Sequence, residues 1–159
     1  MAVAEFLVGL VHTFGYLGVF IAAAIANATV LLPVPAFIFI ITAGAVLNPW
    51  LVALAGALGA ALGELTGYGV GYGGRRVLKH KNAHIRRAQQ WFMKRPSFAA
   101  IALFSALPLP FDVIGIFCGV IKYDIRKFVV AVFIGRFVLY AALAYASSMG
   151  IMFLPDFFR

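Results

Sequence analysis

Three ionisable side chains lie deep inside apolar stretches of the chain, and chemistry is expected first at these positions. Glu64 precedes Arg75 by about 11 residues, or roughly 16 Å of helix. Arg136 follows Lys127 by about nine residues, or roughly 14 Å of helix. Asp112 comes directly after a Pro-x-Pro-Phe sequence. A charge near the centre of a bilayer costs several kcal/mol unless it is paired or hydrated, so these three residues predict a functional centre.

Two compatible roles follow for this charged centre. Arg136 forms an ion pair with either Asp112 or Glu64, which would hold together the elements that carry them. Arg136 also has a planar guanidinium that suits a lipid phosphate crossing the membrane. The sequence does not choose between the two carboxylates.

Glycines repeat every four residues around Glu64 and predict a bare face for close helix packing. The positions are Gly59, Gly63, Gly67 and Gly71. Their partner is either a hairpin of the same chain or a second protomer in a homo-oligomer. Glu64, Tyr68 and Tyr72 form the neighbouring stripe. This stripe either lines a polar path or lets the tyrosine hydroxyls satisfy Glu64.

The composition identifies the class of protein. Hydrophobic residues make up 64% of the chain and charged residues 11%, with a mean hydropathy of +1.02. Soluble domains are about half apolar and a quarter charged, so we predict an all-α integral membrane protein. His80 and His84 are spaced i, i+4 but lack a third metal ligand in the sequence. No Ser-His-Asp or Cys-His pattern is evident, so neither a metal, a cofactor nor an enzyme activity is expected.

The basic residues are concentrated in one loop. Residues 75–95 contain eight of the 13 Lys and Arg residues and no acid, so the formal net charge of +8 resides there. The positive-inside rule predicts that this loop is cytoplasmic in a multi-pass protein of the cell membrane. Its charge is expected to attract anionic lipid headgroups. A nucleic-acid partner is not expected, because the loop joins two apolar regions.

Two proline motifs repeat along the chain. LPVPAFIFIITAG (residues 32–44) and LPLPFDVIGIFCG (residues 107–119) both read Leu-Pro-x-Pro, eight residues, then Gly. Proline removes a backbone donor and disfavours helix in the residue before it, so each motif breaks a helix. The prolines concerned are Pro33, Pro35, Pro108 and Pro110. Residues 50–73 and 128–153, by contrast, are apolar over a full membrane thickness.

The flanking charges predict that residues 97–121 form a re-entrant hairpin. Basic residues stand at both ends, so both ends are expected on the cytoplasmic side. Each arm of about 11 residues reaches roughly 16 Å, half of a hydrocarbon core about 30 Å thick. Two units of hairpin plus span then form an inverted repeat, with the hairpins meeting at the membrane midplane. The predicted single membrane domain covers 1–159: interfacial segment 1–14, repeat 15–73, cytoplasmic loop 74–96, repeat 97–153 and tail 154–159. Residues 1–14 could instead extend the first arm into a crossing, so the sequence leaves the side of the N-terminus open.

Several motifs resemble the DedA/VTT-domain family, also called SNARE-associated Golgi proteins, and most closely its short YqaA-like branch. They are NATVLLPVPAFIFIITAG, GALGAALGELTGYGVGYGGR, SALPLPFDVIGIFCGV and a Phe-x6-Gly-Arg element at 128–136. The resemblance covers nearly the whole chain. It implies two opposed re-entrant hairpins and movement of lipids between leaflets, as a flippase or scramblase.

The chain departs from that family at positions linked to proton coupling. Well-studied members have a carboxylate before the first proline motif, where this chain has Asn27. They carry another acid within that motif, where this chain has Pro35. Ser105 and Asp112 stand where two arginines flank the second motif. Passive exchange is therefore expected over driven transport. The predicted transport path comprises Asn27, Glu64, Tyr68, Asp112 and Arg136.

Three functions remain compatible with the sequence. Translocation of phospholipid or isoprenoid-phosphate headgroups is favoured, because the chain combines opposed broken helices, few polar groups and a basic cytoplasmic loop. An ion- or proton-coupled transporter of small solutes uses the same architecture. A structural membrane assembly protein would need only the glycine face.

Overall fold

The computed structural model describes residues 9, 13–28, 36–78, 90, 92, 97–107 and 111–157. Within these ranges every regular element is an α-helix. The helices are α1 (Tyr16–Ala28), α2 (Ala36–Val46), α3 (Pro49–Gly63), α4 (Leu65–Leu78), α5 (Ser97–Ser105), α6 (Asp112–Val120) and α7 (Ile125–Phe157). The four prolines predicted as hairpin tips lie outside the described residues, and so does most of the basic loop 74–96.

Two helical segments are long and apolar enough to cross a membrane. They cover Pro49–Gly74 and Ile125–Gly150, 26 residues each, and match the predicted spans 50–73 and 128–153. The first consists of α3 and α4 with Glu64 between them. Glu64 keeps a helical backbone (φ −63°, ψ −17°), so α3 and α4 form one continuous rod. The described part of the chain is therefore all-helical and contains two candidate membrane spans.

Both spans begin at a capping side chain. Asn48 Oδ1 accepts hydrogen bonds from two backbone amides of the first turn of α3, and Pro49 occupies the first helical position. Asp124 Oδ1 accepts from the amides of Arg126 and Lys127, at 2.9 and 3.0 Å. The amide hydrogen bond from Lys127 is the main cause that holds the pKa of Asp124 below its ordinary value.

The two spans run antiparallel. Trp50, at the start of the first span, packs against Tyr145 near the end of the second, with ring centroids 6.4 Å apart. Tyr68, late in the first span, packs against Phe128 at the start of the second, at 5.3 Å. The start of one span therefore lies at the same end of the molecule as the end of the other.

The four short helices pack on these two spans in a repeated pattern. The first arm of each unit contacts the span of its own unit, α1 on α3 and α5 on α7. The second arm contacts the span of the other unit, α2 on α7 and α6 on α4. The two arms of each unit therefore pack against both spans, so each unit contacts the other through its second arm.

Contacts at the two ends of α1 give its direction. The Tyr16 hydroxyl accepts a hydrogen bond from the Asn48 amide at the start of the first span (3.1 Å). Thr66 donates to the Ala28 carbonyl just past Glu64 (2.9 Å). α1 thus runs parallel to the first span and ends beside Glu64, near the middle of the bundle.

The second arm of the second unit also begins near the middle of the bundle. Gly67 lies against the Asp112 backbone at the start of α6, and Gly71 lies against Ile116 one turn later. α6 therefore runs parallel to α4 and antiparallel to α7. Phe92, which precedes α5, packs on Tyr123 beside the start of α7, at 5.9 Å. α5 consequently enters in the direction of α7, and α6 returns in the opposite direction.

Buried apolar side chains form two clusters, one toward each end of the bundle. The first joins α1, α2, α3 and the later part of α7, with Ile40 and Tyr140 at its centre. The second joins α4, α5, α6 and the early part of α7, with Phe111 and Phe128 at its centre. Leucines of α3 at positions 51, 54, 58 and 62 are 41–50% exposed and form an outward face suited to lipid.

The glycine face of the first span packs against two arms of the same chain. Gly59 and Gly63 lie against α1, whereas Gly67 and Gly71 lie against α6. A Cβ at Gly63 would overlap the carbonyl oxygen of Ala24, which is a close approach that only glycine permits. The described contacts therefore give the face an intramolecular partner.

We expect Gly63→Ala to lower the free energy of unfolding by about 1–3 kcal/mol, because the added methyl group forces α1 away from the span. Gly69→Ala is the matched control. Gly69 belongs to the same rod, but a Cβ there would meet nothing within 4 Å. Thermal unfolding in detergent micelles measures the difference. Equal melting temperatures for the two variants would contradict the packing at Gly63.

Candidate functional site

A buried ion pair joins the two spans. Arg136 Nη2 donates a hydrogen bond to Glu64 Oε1 at 2.8 Å. Glu64 is 2% exposed and Arg136 is 8% exposed. Arg136 lies about 16 Å along its span from Ile125, and Glu64 lies about 15 Å from the Gly74 end of the other span. Of the two carboxylates expected as partners, the tertiary structure pairs Arg136 with Glu64.

The pair has two buried atoms without a hydrogen-bond partner, Glu64 Oε2 and Arg136 Nε. Arg and carboxylate groups often bind each other through two parallel hydrogen bonds. In this pair one bond is made and a second donor and a second acceptor stay open. Buried polar atoms are nearly always satisfied, by protein or by ordered water, so each of these two atoms can make one further hydrogen bond.

The second proline motif contributes one wall of the site. The guanidinium carbon of Arg136 lies 5.7 Å from the centroid of the Phe111 ring, within cation–π range. Phe111 is 2% exposed and comes immediately before α6. Asp112 follows it, partly buried and beyond ion-pair distance of Arg136, yet close enough for the two charges to interact. Asp112 is thus the second carboxylate of the site.

Two buried tyrosines lie one helical turn after the charged residues, and their hydroxyl groups form hydrogen bonds with other residues. The hydroxyl of Tyr140 accepts a hydrogen bond from Asn27 Nδ2 at 3.3 Å. The hydroxyl of Tyr68 donates to the backbone carbonyl of Tyr123 at 2.6 Å. Tyr68 therefore does not satisfy Glu64, which was one of the two roles expected for it.

Asn27 lies on α1 beside the first span. Its amide nitrogen also donates to the Ala23 carbonyl at 2.8 Å, and its side chain is buried. Its hydrogen-bond partner Tyr140 lies one turn after Arg136 on the second span. Asn27 therefore links the first arm to the opposite span next to the site.

A second repeat in the sequence, around the two charged residues, also marks the site. Gly-Glu-x3-Tyr at 63–68 and Gly-Arg-x3-Tyr at 135–140 have the same spacing, and their charged members are 72 residues apart. Gly135 packs against the Ala102 carbonyl of α5, as Gly63 packs against Ala24 of α1. This repeat favours Glu64 over Asp112 as the partner of Arg136, and it also identifies Tyr140 as a residue next to the site. Nothing in the local sequence indicated that Phe111 packs on Arg136.

The site places a guanidinium with an open N–H donor between two spans and the beginning of α6. In a dry environment a charge-assisted hydrogen bond from that donor strongly favours an oxyanion. Glu64 and Asp112 limit how many anions can stay, because they already supply negative charge. The open N–H of Arg136 can therefore donate to a single oxyanion.

Comparisons with known proteins agree with the motifs. A family model described as the VTT domain matches residues 34–149. The chain is also similar to an uncharacterized protein of Methanocaldococcus jannaschii, with 29% identity over 138 residues, covering 84% of each chain. No solved structure matches the chain.

Proposed function

Because this chain belongs to the VTT-domain family of transporter-type membrane proteins, we propose that it moves phosphate-bearing lipid headgroups between the two leaflets. The observation that carries the proposal is the ion pair between the spans. Arg136 is buried about halfway along its span and keeps an unpartnered Nε. A planar guanidinium is the side chain best matched to a phosphate group.

The directions of the helices support a path through re-entrant hairpins. α1 begins beside Asn48, and α2 ends two residues before it, so α1 and α2 run in opposite directions. The same is true of α5 and α6. The antiparallel spans also support this arrangement, because a single crossing at 97–121 would make the second span parallel to the first. The end of α1 and the start of α6 lie close to the ion pair of Glu64 and Arg136, where a headgroup would meet protein instead of hydrocarbon.

We propose that the basic loop 74–96 lies on the cytoplasmic side and gathers anionic lipid at the mouth of the path. Eight positive charges next to a bilayer attract such lipids by roughly 1 kcal/mol each near the surface. The exchange is passive, because neutral Asn27 and Pro35 stand where well-studied relatives carry acids. Direct movement of a headgroup needs no cofactor.

We expect purified protein in phosphatidylcholine vesicles to make fluorescent phosphatidylglycerol in the inner leaflet accessible to dithionite. Protein-free vesicles should lose only about half of the fluorescence, since the outer leaflet alone is quenched. Vesicles with the protein should lose nearly all of it. If quenching stops at the outer leaflet for every anionic lipid tried, and ion flux appears instead, the solute-transporter alternative replaces this proposal.

Cysteine labelling tests whether residues 97–121 form a hairpin, because the two ends of a hairpin lie on the same side of the membrane. On a Cys118→Ala background, cysteines at Phe98 and at Lys122 should both react with an impermeant maleimide from the same side. Both positions are exposed in the fold. The loss of the buried native thiol removes the only other cysteine of the chain. Reaction from opposite sides would show that this segment crosses the membrane.

A further inference from the structure

We propose that Glu64 is an internal counter-anion that stays paired with Arg136 between transport events. A lipid headgroup can then bind the Arg136 guanidinium only when Glu64 is protonated. This inference rests on the proposed function and concerns the regulation of the same site. It assigns Glu64 an inhibitory role. The carboxylate would hold the site closed, and the headgroup would bind to the guanidinium alone.

The geometry of the ion pair supports the role. The two groups share one hydrogen bond of 2.8 Å, and Glu64 Oε2 and Arg136 Nε are unpartnered. A pair built only to lock the spans would gain from using both bonds. A singly bonded carboxylate can be replaced by another oxyanion at the same guanidinium with little rearrangement of the protein.

The surroundings of Glu64 explain why its displacement requires a proton. The charged or titratable groups that face it are Arg136 and Tyr140 from α7 and Asp112 from α6, whereas the hydroxyl of Tyr68 on its own rod donates to the Tyr123 carbonyl instead. α1 contributes the neutral Asn27. Arg136 is the cation among these groups. When a phosphate takes Arg136, a charged Glu64 would be left buried beside Asp112, and an unpaired buried charge is strongly unfavourable.

The sign of the pH dependence follows from this competition. As the pH falls, a growing fraction of Glu64 carries a proton, no longer attracts the guanidinium, and leaves it available. Headgroup exchange should therefore rise toward acidic pH, with the same buffer on both sides of the membrane. Glu64→Gln mimics the protonated state and should exchange quickly at every pH.

The test uses phosphatidylcholine vesicles with a small fraction of fluorescent phosphatidylglycerol and the dithionite readout. At neutral pH, Glu64→Gln should exchange about tenfold faster than the wild type, because a charge-assisted bond that competes with the lipid is removed. Its rate should also depend little on pH. Asp124→Asn, a change at an exposed helix cap, is the matched control and should retain the wild-type pH profile.

The outcomes separate this inference from the proposed function. If the wild type exchanges lipid and folded Glu64→Gln exchanges it more slowly, Glu64 is not an inhibitor and the inference is wrong. If Glu64→Gln fails to fold, the wild-type profile decides, and a rate that does not rise toward acidic pH overturns the inference. If neither protein exceeds protein-free vesicles with any anionic lipid, the proposed function fails as well.

Discussion

Replacing Arg136 by alanine is expected to lower the free energy of unfolding by about 3–5 kcal/mol, one of the two largest effects predicted for this chain. The substitution leaves the carboxylate of Glu64 buried without its hydrogen-bond donor, and it removes the cation that packs over Phe111. The removed methylenes also leave a cavity between the two spans. Thermal or denaturant unfolding in detergent micelles measures the change.

Arg126→Ala is the matched control for this loss. Arg126 belongs to the same helix and carries the same charge, but it is exposed at the first turn. Substitutions at exposed positions usually change stability by less than about 0.5 kcal/mol. If both variants unfold at the same temperature, the Glu64–Arg136 pair does not stabilise the contact between the spans.

The second large effect separates stability from transport. We expect Glu64→Leu combined with Arg136→Met to fold at least about as stably as the wild type while losing lipid exchange down to the rate of protein-free vesicles. Apolar side chains of similar volume remove both buried charges together, and such replacements are often neutral or stabilising by about 1–4 kcal/mol. The same replacement removes the guanidinium that receives the phosphate in our proposal.

The matched control for transport is Arg126→Met, which changes an exposed arginine on the same helix and should keep the wild-type exchange rate. Size-exclusion chromatography and unfolding curves establish that the double variant is folded before its transport is measured. A folded double variant that still exchanges lipid at the wild-type rate would show that headgroups do not pass through this ion pair.

The position of the ion pair suggests why the two expected effects have different origins. It lies where the two apolar clusters meet, with Tyr140 in one cluster and Tyr68 and Phe111 in the other. A charge there is poorly solvated, so removing one partner of the ion pair strongly destabilises the fold. Losing both partners restores a continuous apolar contact. In our proposal, lipid exchange requires the positive charge of Arg136, whereas the stability of the fold does not.

The sequence by itself determined the class of the protein, its two spans and the residues from which a site is built. Composition and apolar length are sums over neighbouring residues, so they require no knowledge of how distant segments meet. The same is true of the depth of Glu64 and Arg136, because depth follows from counting residues along a helix. The family also followed from local motifs, and the VTT-domain match confirms it.

Only the tertiary structure decided which carboxylate holds Arg136. Asp112 and Glu64 were equally plausible, since both were expected near the midplane. The choice depends on how α4, α6 and α7 pack against one another. The structure likewise divided the glycine face between α1 and α6, and it placed the ring of Phe111 beneath the guanidinium.

The physical reason is the range of the forces involved. Hydrophobic burial and helix formation act on each segment according to its own residues, so the sequence reports them directly. A hydrogen bond of 2.8 Å between residues 72 positions apart requires two spans to be placed within a fraction of an ångström. That placement is set by close packing at positions such as Gly63 and Gly135, where the whole fold contributes and no local pattern is sufficient.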